Sequence, residues 1–239
     1  MLSRREFITL GALGALAPEV LAAAAPSRVF QHGVASGDPR ADRVVLWTRV
    51  TVQGSAAEGR WRIADDPRLT RVVARGRFAT AAERDYTVKV DVGGLAPGRT
   101  YYYAFETRGE RSPVGRTRTL PAGQVGGLRL AFASCAAFPH GYYNAYARIA
   151  ERADLDLVLH LGDYIYENPL GEYVSADPAV AAARAVVPEH ELVALADYRL
   201  RYSLYRRDPD LQEVLRQHPL VCGWGDREIA SDAWRAGAL

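Results

Sequence analysis

The sequence predicts a two-part chain: a β-sandwich followed by an α/β domain built on a parallel sheet. Three observations predict it. Residues 29–120 carry short apolar runs of period two, separated by turn residues. The stretch Pro121-Ala122-Gly123-Gln124-Val125-Gly126-Gly127 then reads as a linker. Over 128–239, apolar strands alternate with helical spacing, and three strands close on Ser134-Cys135, Gly162-Asp163 and Gly225-Asp226.

Composition sets the frame. The 239 residues are 49% hydrophobic and 24% charged, ordinary globular values. They exclude a disordered tail and a collagen-like chain, and two cysteines exclude a disulfide-dense mini-protein. A net charge of +2 carries no signature of nucleic-acid-specific binding. Lys89 is the only lysine among 30 basic residues. That arginine skew reflects either a GC-rich coding sequence or a preference for anions.

The first residues read as an export signal. Ser3-Arg4-Arg5-Glu6-Phe7-Ile8 sets paired arginines before an apolar run that ends in small residues, Ala22 to Ala25. The run is too short and too rich in alanine and glycine for a membrane span. The pattern resembles a twin-arginine signal. Residues 1–25 are therefore expected to direct the chain through the twin-arginine export machinery and to be cut off at a signal-peptidase site at Ala22 to Ala25, giving a periplasmic or extracellular chain with no integral span. The net charge would stay +2, because Arg4 and Arg5 cancel Glu6 and Glu19.

Within residues 29–120, Val44 to Val50 is rich in β-branched and aromatic residues, and Tyr86 to Val92 alternates strictly. Pro97-Gly98 makes a turn into Tyr101-Tyr102-Tyr103. A tyrosine just past such a turn resembles the tyrosine corner of immunoglobulin-like and fibronectin-III-like sandwiches. The three tyrosines are expected to alternate between core and solvent. Local consistency of strands and turns suggests that the segment folds as a unit.

In the second region the expected strands are Leu128 to Ala133, Leu155 to Leu161 and Leu220 to Trp224. The expected helices include Asn144 to Arg152 and Glu189 to Tyr205, the latter with apolar Leu192, Leu195, Ala196 and Leu200. Open α/β sheets bind ligands beyond the carboxyl ends of their strands. Cys135, Asp163 and Asp226 fall there.

His160-Leu161-Gly162-Asp163-Tyr164-Ile165-Tyr166-Glu167 is the most informative segment. Gly-Asp after a strand exposes a carboxylate, and Tyr166 can bring a phenol to the same point. That pair suits a hard, highly charged ion such as Fe(III), and Cys135 can add a thiolate. Oxygen ligands alone would favour calcium or magnesium. The same residues also fit a strand-capping aspartate, a core tyrosine and a buried cysteine. His32, His140, His190 and His218 share no spacing and read as surface or packing residues. Cys222 reads as buried, and a Cys135–Cys222 disulfide would compete with thiolate ligation. Arg199, Arg201, Arg206 and Arg207 read as the solvated face of a helix.

Taken together, these motifs resemble the PhoD-like alkaline phosphatases, a family that includes phospholipase D-type phosphodiesterases. Phe30 to Pro39, Val45 to Arg49 and Gly94 to Tyr103 resemble its N-terminal domain. Phe132 to Cys135, Gly141 to Asn144, His160 to Glu167, Leu195 to Arg199 and Tyr202 to Tyr205 resemble its catalytic domain. The resemblance implies a fibronectin-III-like sandwich before a metallophosphatase-type α/β domain. It implies a phosphate-ester substrate and an Fe(III) ion with Ca(II). It further implies that Cys135, Asp163 and Tyr166 ligate iron, with Asp163 bridging to calcium, and that Asp226 belongs to the metal site.

The resemblance is incomplete. The family's W-D-D-H-E and hydrophobic-Ala-Asn-Asp pattern stands here as Trp224-Gly225-Asp226-Arg227-Glu228 and Ile229-Ala230-Ser231-Asp232. Gly225 replaces an acid, Arg227 a histidine and Ser231 an asparagine. Arg227 cannot ligate a metal, though a guanidinium can hold a phosphate. The family's downstream Asp-x-His ligand set has no counterpart before Leu239. The expectation is a partial α/β domain with one edge uncovered and impaired catalysis, or a non-catalytic module that binds metal or phosphate weakly.

Overall fold

The computed structural model describes Leu21 and residues 27–238. The export-signal reading thus lies outside the described residues, Leu21 apart. Among them, no helix is long and apolar enough to cross a membrane. The first region contributes eight strands: β1 (Val34–Gly37), β2 (Arg43–Arg49), β3 (Ala56–Ala64), β4 (Val72–Ala81), β5 (Thr87–Gly93), β6 (Thr100–Thr107), β7 (Glu110–Arg111) and β8 (Gly115–Arg118). The second contributes β9 (Leu130–Ala133), α1 (Asn144–Ala150), β10 (Leu157–His160), α2 (Pro178–Ala183), α3 (Leu195–Tyr205), α4 (Pro209–Gln217) and β11 (Pro219–Cys222).

One six-stranded sheet runs β5-β2-β1-β11-β10-β9, and a second runs β4-β3-β6-β7, with β8 also on β6. In the first sheet β9, β10, β11 and β1 are parallel neighbours, while β1-β2 and β2-β5 are antiparallel. The sheet therefore passes from the first region into the second through Ser36↔Pro219 and Gly37↔Leu220.

Alternation sorts the side chains into two cores on opposite faces of that sheet. Val34, Val44 and Leu46 join Ile63, Tyr101, Tyr103 and Phe105 of the second sheet in one core. Their neighbours Ala35 and Trp47 pack with Val158, Ile165, Tyr205, Leu211 and Leu215 in the other. Tyr101 and Tyr103 are buried while Tyr102 between them is half-buried. At the turn, Gly98 adopts φ +65°, a conformation that favours glycine, just after Pro97. Tyr101 Oη then accepts from the Ala96 N–H at 2.8 Å.

Helix α4 starts where Asp208 accepts from the N–H groups of Asp210 and Leu211, at 2.9 and 3.0 Å, with Pro209 in the first turn. Its Leu211, Val214 and Leu215 are buried. Helix α3 departs from its expected apolar face: Leu195 and Leu200 are exposed, and Arg201, Ser203 and Tyr205 are buried. Arg201 is buried because its guanidinium donates to the carbonyls of Tyr166, Asn168, Val187 and Pro188. Arg206, just past the helix, is also buried. The solvated-face reading is therefore wrong for Arg201 and Arg206.

Candidate metal centre at the strand ends

Parallel pairing brings the ends of β9, β10 and β11 together. The loops beyond them are laced by backbone hydrogen bonds. Leu161 N–H donates to Ala133, Cys135 N–H to Gly162, Ala136 N–H to Asp163 and Gly223 N–H to His160, at 2.7 to 3.3 Å. Cys135 and Asp163 both hold left-handed backbone, at φ 55° and 54°. That region is uncommon for a non-glycine residue, and less tolerated by Cys than by Asp. Gly162 is required between the loops: a Cβ there would lie 2.7 Å from Gly225 Cα.

Three of the four expected ligands cluster. Tyr166 Oη lies 3.5 Å from Asp163 Oδ2, a long contact for a hydrogen bond. Burial, followed by the charges of Asp163 and Cys135, pushes the Tyr166 phenol well above its usual range. Cys135 is exposed and free, as is Cys222, so no disulfide removes the thiol. Cys222 is thus not the buried residue that its strand suggested.

Asp226 is engaged differently. Its Oδ2 accepts from the Asp232 N–H at 2.7 Å, and that bond holds its carboxyl below the usual range. Among the described residues, no three His, Cys, Asp or Glu side chains form a metal-holding group. The trio nonetheless sets two oxygen donors, a carboxylate and a phenol, beside a thiol, three side-chain types that can ligate metals.

Two further residues shape the site. Glu228 is buried, and its carboxylate accepts from the N–H groups of Asp163, Tyr164, Ile165 and Gly225. It thereby ties the loop after β11 to the turn that presents Asp163. Its position in the Trp224–Glu228 motif was the only sequence signal for it. Arg227 pairs with buried Glu167 at 3.1 Å and donates to Asn168 and Tyr173. It also lies 5.7 Å over the Tyr166 ring. Arg227 is therefore committed to a protein carboxylate and is not poised for the phosphate that sequence reasoning allowed it. His32, buried against Ser203, and His218, buried against the Ile149 carbonyl, are packing residues.

Strands β9, β10 and β11, joined through α1 and through α2 to α4, make a parallel unit with Cys135 and Asp163 just beyond its strand ends. Two models of one family match the chain in succession: the PhoD-like phosphatase N-terminal domain over residues 15–121 and PhoD-like phosphatase over residues 130–239. The chain belongs to the PhoD-like phosphatase family. It is 40% identical to alkaline phosphatase D of Bacillus subtilis (strain 168) over 213 residues, 85% of this chain and 36% of that protein. A solved structure of PhoD superposes with a TM-score of 0.79 at 40% identity, covering 87% of this chain and 41% of the other. The chain thus spans about two fifths of the length of these relatives.

Proposed function

We propose that this chain carries the iron-binding part of an exported phosphoesterase site of the alkaline phosphatase D type, acting on phosphate mono- or diesters. The observation that carries the reading is the convergence of Cys135 and Asp163, each in left-handed backbone on laced adjacent loops, with Tyr166 alongside. In this reading the fold is a fibronectin-III-like sandwich, supported by the Tyr101 corner, followed by part of a metallophosphatase-type α/β domain. Export by the twin-arginine route rests on Ser3 to Ile8.

Cys135, Asp163 and Tyr166 would hold Fe(III), with Asp163 reaching toward Ca(II). Bound ions would supply positive charge to the phosphoryl oxygens as charge develops on them. The chain's own contribution is positioning. Glu228 fixes the turn that presents Asp163, and Arg227 with Glu167 seats the Tyr166 ring. Asp226 would join the site through Oδ1, while Oδ2 keeps the Asp232 N–H.

A second reading is a metal- or phosphate-binding module with little turnover. The pairing of Arg227 with Glu167 favours it, since that guanidinium is not free to hold a phosphoryl group. One experiment separates the two. Loading the purified chain with ferric ion should give a visible tyrosinate charge-transfer band, lost in Tyr166→Phe. Metal-dependent hydrolysis of p-nitrophenyl phosphate, abolished by Asp163→Asn, supports the esterase. The band without turnover supports the binding module, and neither signal overturns both.

A further inference from the structure

A cleft of about 620 Å³ lies between helix α3 and the β1-β2-β5 end of the six-stranded sheet. Its volume falls within the ~300–1,000 Å³ range of small-molecule sites. Trp47, Tyr164 and Tyr202 give it an aromatic wall. Arg84, Lys89, Arg199 and Arg206 line it as well.

The cations outnumber the acids free to meet them. Asp85 is taken by Arg49 at 2.7 Å. The Glu228 carboxylate is taken by backbone N–H groups. Asp38 alone among the lining acids is uncommitted. Arg206 is the telling residue. It is more than nine-tenths buried, at 8% exposure, yet forms no ion pair among the described residues. Its partners are neutral: the His32 carbonyl at 3.1 Å, the Tyr164 hydroxyl and the Trp47 ring at 4.2 Å. Its Nε has no acceptor. A buried guanidinium that lacks a counter-ion gains more from an arriving anion than a solvated one would.

We propose that this cleft binds an amphiphilic anion: an aromatic body against Trp47 and Tyr202, with one negatively charged group drawn by Arg206 and Lys89. Phosphate, sulfonate and carboxylate share that chemistry. None of Cys135, Asp163 and Tyr166 lines the cleft, which meets the candidate centre only through Tyr164 and Glu228 and the loop after β11, and its occupancy requires neither metal nor hydrolysis.

The test uses the full chain, free of added metal, and 2-naphthalenesulfonate, which no phosphoesterase can cleave. Calorimetry should show one saturable site. 2-Naphthol and inorganic sulfate, each carrying half of the chemistry, should bind at least tenfold more weakly. The paired surface change Arg84→Glu with Lys89→Glu should raise Kd at least tenfold, as should Arg206→Met. Because Lys89 is the only lysine, bound ligand should also protect one side-chain amine from acetylation, read by mass spectrometry after peptide mapping. The double surface variant keeps the test intact if Arg206→Met does not fold. 2-Naphthalene phosphonate and 2-naphthoate compare the anionic groups, and binding by all three marks recognition of charge rather than of phosphorus. Absence of saturable binding, naphthol binding as tightly as the sulfonate, or an affinity unchanged in the folded variants would each overturn the proposal.

Discussion

At the scale of single residues, the turn that presents Asp163 is held by Glu228. Glu228 gathers four N–H groups from two loops, and with its carboxylate removed those donors would be left poorly paired in a buried turn. Glu228→Ala should therefore cost at least ~2 kcal/mol in denaturant unfolding. It should also weaken the ferric charge-transfer band, whereas Glu228→Gln, which keeps acceptor oxygen, should lose less of both. A band and stability untouched in Glu228→Ala would show that Asp163 is positioned without it. The buried histidines give a pH prediction. Burial, with Arg49, Arg207 and Arg206 adding to it, lowers His32 from 6.5 to about 3. Burial, then Arg116, lowers His218 to about 4. Both folded values lie below the unfolded one, so the unfolded chain takes up these protons first. The stability due to neutral burial is complete above about pH 6.5 and is lost as pH falls from there toward 4 and 3, with a slope of at most about 1.4 kcal/mol per pH unit for each proton. Urea midpoints measured from pH 7 to pH 4 should fall, and His32→Gln should flatten the fall. An equal slope in that variant would assign the dependence to other groups.

At the scale of elements, Asp208 performs two tasks. It caps α4 and forms a buried ion pair with Arg184 at 2.8 Å, while Arg184 also lies over the Phe138 ring. Asp208→Ala removes the cap and strands a buried cation, for an expected loss of about 3–5 kcal/mol. Asp208→Asn keeps a capping oxygen and should lose less. Equal losses in the two variants, read as shifts in the urea midpoint, would show that the ion pair alone matters. This element also shows where sequence reasoning stops. The strands ending at Cys135 and Asp163 were legible because period, length and closing residues are local. Helix α3 was misread because helical spacing cannot distinguish an apolar stripe facing in from one facing out. Arg201 decides the matter through carbonyls 13 to 35 residues away. The partner of Arg227 is likewise illegible locally, because Glu167 lies 60 residues earlier in the chain.

At the scale of the whole molecule, the β1–β11 pairing turns two regions into one sheet, and no local pattern announces it. The two register pairs that make it join residues more than 180 positions apart. Side chains reinforce the joint. Arg116 donates to the carbonyls of Gln217 and Ala153, Arg216 donates to that of Val114, and Arg118 pairs with Asp156 at 3.0 Å. An isolated fragment of residues 27–126 would keep its strand pairs and the core around Leu46 and Tyr103. It would, however, leave the free edge of β1 unpaired and bare the face that carries Ala35 and Trp47, a combination prone to edge-to-edge association. The fragment should therefore give a β-type circular dichroism spectrum but unfold at lower urea than the same region within the full chain, and self-associate on sedimentation. A single cooperative transition in the full chain, reported alike by tryptophan fluorescence and far-ultraviolet dichroism, would agree with the shared sheet. A monomeric fragment with the full chain's midpoint would show instead that the first region folds independently and that the β1–β11 contact adds nothing to its stability.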